Sequence, residues 1–262
     1  MKNASHIFIA FFYALVYNYG VMEPIATELL FDYCKIHSDT ATINDLSKFC
    51  DFLLEKNKQF NLTAIREERD VYVKHFCDSL MGREYFKACK KIVEVGSGAG
   101  FPSVPLKIYN RALDFTLIEA TGKKCEFLKQ TRLYLEFEKF WVINGRSEEL
   151  ALKDEYRAAF DTVTARAVAS LDVLSEISLP LLKTGGCGVF YKLYSPLEIK
   201  SAIPAIELLG GQIAGIKEYT LPFTDQKRCI IVVEKVKDTP DGYPREYKAI
   251  KKRPLSDLNL KN

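Results

Sequence analysis

The stretch KIVEVGSGAGFPSVPLKIYN, residues 91–110, constrains the fold of this chain more than any other. A short β-branched run ends in three glycines at alternate positions, Gly96, Gly98 and Gly100. A helical pattern follows, with Pro102 placed in its first turn. A strand that turns through glycines into a helix is a joint of α/β folds, and it brings backbone close to a ligand. No G-x-x-x-x-G-K-[ST] pattern is present, which argues against a P-loop. The dinucleotide fingerprint G-x-G-x-x-G misses by one position, and the bulky Phe101 makes a poor cradle for a pyrophosphate.

The rest of the chain supplies the sheet that such a loop needs. The runs KIVEV, DFTLIEA (114–120), FWVING (140–145), FDTVTARAV (160–168), CGVFYKL, QIAGIKEYTLP and RCIIVVEKV read as seven strands. Helical patterns separate the first six strands at most junctions, which predicts a mostly parallel sheet with helices on both faces. The last two strands follow one another directly, which predicts an antiparallel hairpin at one edge. The pattern SLDVLSEISLPLLKTGG predicts a helix stopped by Gly185 and Gly186. Upstream, INDLSKFCDFLLEKNKQF sets Leu46, Phe49, Cys50, Leu53 and Leu54 on one stripe of an amphipathic helix, and 66–89 carry a second helical pattern. The expected organisation is an apolar extension (1–21), a helical section (22–90), an α/β core (91–240) and a basic tail (241–262).

Bulk properties exclude little. A net charge of +3 is too small to demonstrate a nucleic-acid partner. The seven cysteines form no C-x-x-C pair, so a zinc site or disulfide framework is not expected, and a reducing cytoplasm fits best. The run IFIAFFYALVY, residues 7–17, falls short of the ~20 residues that span a bilayer, and no A-x-A cleavage site follows it. A helical extension, or residues upstream of a true start at Met22, is expected over a signal or anchor.

The pattern E-x-G-x-G-x-G, beginning at Glu94, resembles motif I of class I S-adenosylmethionine-dependent methyltransferases. Its glycines would admit the cofactor, and the following helix N-terminus favours the methionyl carboxylate. Glu94 would reach the amino or sulfonium side. Glu119, with Ala120 and Thr121 at the end of the second strand, is placed to grip ribose hydroxyls; the alternative is a solvent-facing strand end. Ser147 and Glu148, in NGRSEEL, are candidates for the adenine edge, although S-x-E-E is also a helix-start signal.

NLTAI (61–65), HFCDSL (75–80), VGSGAGFPSVPLKI (95–108), GRSEEL (145–150), FDTVTARAVASL (160–171), LPLLKTGG (179–186) and YPRE (243–246) together resemble the bacterial 16S ribosomal RNA guanine-N7 methyltransferase G family. The resemblance runs from about residue 22 to 255. It implies a Rossmann-like class I fold, S-adenosylmethionine as cofactor, and 16S ribosomal RNA or the small ribosomal subunit as partner. It places the cofactor at Gly96, Gly98, Gly100, Phe101, the end of the second strand, Ser147, Glu148 and Arg166. No metal or membrane is expected, and a cytoplasmic monomer is. The chain departs from the family after the fifth strand (YKLYS) and in its tail (YPREYKAIKKRPL).

Guanine N7 carries a free electron pair, so attack on a sulfonium methyl needs no general base. Catalysis would then rest on positioning and electrostatic fit. Arg166 is the candidate catalytic residue, with a structural ion pair as its alternative role. Asp78 is a candidate pocket residue, and His75 reads as a satisfied core histidine. For RNA, the candidates are Lys192, Arg245, Lys248, Lys251, Lys252 and Arg253, with Lys183 in support and Tyr243 and Tyr247 for base stacking. The bland alternative for these is a solvated tail. A methyltransferase of small molecules or proteins, or a Rossmann-like binder without turnover, remains as a competing function.

Overall fold

The computed structural model describes residues 24–87 and 91–257. The apolar run at 7–17 and the start at Met22 lie outside the described residues. Among the described residues no helix is long and apolar enough to cross a membrane.

Seven strands form one sheet: β1 (Ile92–Val95), β2 (Phe115–Glu119), β3 (Phe140–Asn144), β4 (Phe160–Arg166), β5 (Leu182–Leu193), β6 (Gly211–Thr220) and β7 (Lys227–Lys235). Their order is β3-β2-β1-β4-β5-β7-β6. Strands β1 to β5 pair in parallel, and β7 runs antiparallel between β5 and β6. The expected hairpin is therefore present, with β6 outermost. The chain order reverses between β1 and β4, and ligands of such sheets bind beyond the strand ends at that point.

The helices are α1 (Pro24–Tyr33), α2 (Thr40–Phe60), α3 (Glu68–Val71), α4 (Ser103–Tyr109), α5 (Gly122–Tyr134), α6 (Ser147–Leu150), α7 (Leu171–Ser178), α8 (Pro196–Leu208) and α9 (Tyr247–Lys252). Strand side chains alternate between the two faces of the sheet. Ile92 and Leu117 join a core with α2, α4 and α5, where Phe49 meets Phe76, Phe101 and Phe127 and where Cys50 and Cys77 are buried. Val93 and Ile118 join a second core with α7 and α8 that contains Cys229. The helical N-terminal section thus shares its core with one sheet face.

Local chemistry explains the edges of that section. Asp39 caps α2 by accepting from the Thr42 amide at 2.8 Å. Asn57 then pins the NLTAI loop: its amide donates to the carbonyls of Thr63 and Ile65 and accepts from the Thr63 N–H. Helix α3 widens into a π-helical turn (Tyr72–Cys77) before a last turn at Asp78–Leu80.

Two expectations change. Gly185 and Gly186 do not cap a helix: α7 ends at Ser178, a 3₁₀ turn follows, and the glycines lie within β5. The β4–β5 register slips between Phe160↔Leu182 and Thr162↔Cys187, so residues 183–186 bulge. Gly185 takes φ +83 there, and a side chain at Gly186 would meet two carbonyl oxygens within 2.9 Å. The segment 241–257 is no solvated tail. Ile250 and Leu255 are fully buried in the second core, and Arg245 grips Glu176 at 2.8 and 2.6 Å.

Candidate active site at the glycine loop

A crevice of about 460 Å³, partly open to solvent, lies beyond the carboxyl ends of β1, β2 and β3. Val95 and Gly96 form one end, Glu119 and Ala120 the middle, and Gly145 to Glu148 the other end; Val168, Ile177 and Tyr247 complete the lining. The loop between β1 and α4 is fixed by its own backbone. The Gly98 amide donates to Glu119 Oε2 at 2.9 Å, and the Gly100 amide donates to the Ser97 carbonyl at 2.7 Å. Gly96 has φ +64, and a Cβ there would stand 2.8 Å from Val168. That position requires glycine both for its backbone and for the space.

Three carboxyl groups set the electrostatics. Glu119 is buried, not solvated as the alternative held. It accepts from Gly98 and, through Oε1, from the Thr121 amide at 2.7 Å. Glu94 is fully buried, and neither of its oxygens has a hydrogen-bond partner. Burial pushes its pKa up to about 8, against the pull of Ser103 and of the Arg166 charge. Glu148 is also buried, and its Oε1 lacks a hydrogen-bond partner. The Ser147 hydroxyl donates to its other oxygen at 3.4 Å, and the Arg146 guanidinium stands 3.9 Å from Oε1.

Buried acceptors without donors are costly unless a ligand supplies the donors. The Glu148 end of the crevice therefore suits a ligand that brings an N–H donor. The crevice does not suit phosphates, since the Gly98 amide already serves Glu119. S-adenosylmethionine fits this donor set.

The other predicted residues separate. Gly96, Glu119, Ala120, Ser147 and Glu148 line the crevice. Gly98 and Gly100 shape its loop, while Thr121 is exposed at the start of α5. Phe101 is buried beneath the loop, stacked 4.1 Å from His75, with the Arg166 guanidinium 4.9 Å from its ring centre. Arg166 points away into a buried ion pair. It donates to Asp78 Oδ2 at 2.9 Å, to the Lys74 carbonyl at 3.2 Å and to His75 Nδ1 at 2.8 Å. The alternative role of Arg166 as a structural ion pair is the one seen. His75 then donates from Nε2 to Thr63 Oγ1 at 3.0 Å, and burial lowers its pKa to about 2. It is the satisfied core histidine that the sequence suggested.

The basic candidates also divide. Lys192 bonds the Ala169 carbonyl and Glu198, each at 2.7 Å, and Arg245 is committed to Glu176. Neither side chain is available as a phosphate contact without losing an ion pair. Lys183 pairs with Asp161 at the opposite end of β4 from the crevice. Lys248, Lys251, Lys252 and Arg253 are exposed. The sequence reading missed Gly145, Arg146, Val168 and Ile177, and it placed Tyr247 on RNA instead of at the crevice. Arg146 was within reach, lying inside the quoted NGRSEEL; Tyr247 was not, because 102 residues separate it from Gly145 and only the fold joins them.

The chain resembles known proteins over most of its length. A family model described as rRNA small subunit methyltransferase G matches residues 42–225. The ribosomal RNA small subunit methyltransferase G of Alkaliphilus metalliredigens is 41% identical over 235 residues, covering 87% of this chain and 98% of that protein. Its namesake from Deinococcus deserti is 39% identical over 239 residues, covering 89% and 98%. Among solved structures, a protein studied for "conversion of a disulfide bond into a thioacetal group during echinomycin biosynthesis" aligns at TM-score 0.50 and 10% identity, over 60% of this chain and 81% of the other. That likeness concerns the fold alone.

Proposed function

Because this chain belongs to the rRNA small subunit methyltransferase G family, we propose that it transfers a methyl group from S-adenosylmethionine to N7 of a guanine in 16S ribosomal RNA. The observation that carries the cofactor is a glycine-lined crevice with buried Glu119 at its middle and, at one end, buried Glu148, one of whose oxygens lacks a hydrogen-bond partner.

When bound, S-adenosylmethionine supplies an electrophilic sulfonium methyl. Glu119 would take the ribose hydroxyls and Ser147 with Glu148 the adenine edge, while Glu94, buried within β1, would answer the positive charge from beneath. The loop residues Gly96, Gly98 and Gly100 keep side chains out of the way. N7 offers its own electron pair, so no proton needs removing, and the locked neutral His75 is no base. Arg166 acts as a positioning residue: it holds Phe101 and the π-helical turn against the loop. The target base must leave its stack to arrive beside the crevice. The exposed Lys248, Lys251, Lys252 and Arg253 supply positive charge for phosphates close to the crevice, in a cytoplasmic setting.

The test is transfer of labelled methyl groups to ribosomal RNA and small subunits from cells that lack the gene. Label at one guanine, with none on free nucleosides or protein, is the expected result. Binding of NADH without binding of S-adenosylmethionine, measured by calorimetry, would end the proposal.

A further inference from the structure

Tyr247 stands on α9, outside the sheet-and-helix core that builds the rest of the crevice, yet it lines the crevice beside Ser147 and Glu148. Arg146 lies over its ring at 5.1 Å. A second space of about 710 Å³, partly open to solvent, adjoins the crevice and shares Arg146, Glu148 and Tyr247 with it. The stacked Arg146–Tyr247 pair is therefore a partition between two open spaces. On its far side lie Glu149, Leu152, Arg245 and Lys248.

This partition is firmly held from below. Ile250 and Leu255 are fully buried, Arg245 makes a bidentate pair with buried Glu176, and Ser256 donates to Asp172. The anchors fix the segment on either side of α9 and leave the Tyr247 ring directed at the crevice.

Position along the crevice identifies what the ring meets. The strand ends β1, β2 and β3 succeed one another along the crevice, from Val95 and Gly96 to Glu119 to Gly145 and Glu148. If the cationic end of the ligand is at Gly96 and the ribose at Glu119, the planar base falls at the β3 end. A base there needs a flat apolar surface, and a phenol ring backed by a guanidinium provides one. We infer that Tyr247, backed by Arg146, is a cofactor-contacting residue that walls the adenine end, so that docking of the C-terminal segment is part of cofactor binding. The inference rests on the S-adenosylmethionine reading above.

Calorimetry with S-adenosylmethionine, S-adenosylhomocysteine and adenosine tests it on wild type, Tyr247→Ala and Tyr247→Phe. Tyr247→Ala is expected to weaken all three ligands by roughly tenfold, since all share the base. Tyr247→Phe keeps the ring and is expected to stay within about twofold of wild type. Wild type that fails to bind S-adenosylmethionine takes down the functional reading and the wall with it. Wild type that binds, alongside a folded Tyr247→Ala protein with unchanged affinities, overturns the wall alone. Should Tyr247→Ala not fold, amide exchange of wild type decides: S-adenosylhomocysteine is expected to protect residues 246–253, and unchanged exchange there overturns the inference.

Discussion

Glu94 is a carboxyl group whose environment differs sharply from its ordinary one. Burial places its pKa near 8, above the value of about 4.5 for an exposed glutamate, with Arg166 opposing that shift and Glu119 adding to it. The folded state therefore binds this proton more tightly than the unfolded chain does. Below about pH 4.5 burial of the neutral acid adds nothing to the pH slope, and between about 4.5 and 8 stability falls as pH rises. Glu94→Gln is expected to flatten that slope, which urea titrations at pH 5, 6.5 and 8 would read. A cationic ligand draws the proton off. Binding of S-adenosylmethionine below pH 8 should release protons and tighten by at most about tenfold per pH unit. Calorimetry in two buffers of different ionisation enthalpy would detect the release, and none is expected from Glu94→Gln. The sequence revealed Glu94 and the glycines because their spacing is local. It did not reveal that the Gly98 amide is spent on Glu119, a contact across 21 positions that makes this carboxylate the clasp of the loop.

At the scale of elements, the π-helical turn and Asp78 join the helical section to the sheet. Asp78 is fully buried and receives Arg166 from β4, Arg228 from β7 at 2.8 and 2.9 Å, and the Tyr219 hydroxyl from β6 at 2.7 Å. Removing one carboxylate leaves two largely buried guanidiniums without their counter-charge. Asp78→Ala is expected to cost about 3–5 kcal/mol in a denaturant titration. A loss below about 1 kcal/mol would show that the pairs are solvated and replaceable. The quoted HFCDSL contained this aspartate, but its partners lie 88 and 150 residues downstream. A stretch read locally shows a half-apolar helix and hides the hub. The strands, by contrast, were legible because β-branched runs bounded by glycine carry their own period. The glycine pair after α7 misled for the same reason: Gly185 and Gly186 signal a change of direction, and a bulge inside β5 uses that signal as well as a helix end does. The YPREYKAIKKRPL segment misled through charge. Its lysines were read as an RNA-facing strip with a solvated tail as the alternative, and neither reading foresaw that the anchors Ile250, Leu255 and Arg245 alternate among them.

On the scale of the whole molecule, the sheet divides the interior into two apolar halves, and buried cysteines are present in both. Burial pushes the thiols of Cys50, Cys77 and Cys229 upward, the last to about 11, so each stays protonated and slow to react while its half is closed. Cys34 and Cys187 are only half-buried. A maleimide pulse is thus a clock with a hand in each half: Cys50 and Cys77 report the helical side, Cys229 the far side. Because Asp78 rivets the helical section to the sheet that both halves share, all three are expected to alkylate at one common rate, set by global opening. Earlier modification of Cys50 and Cys77 would mean that the helical layer peels from the sheet while the sheet itself survives.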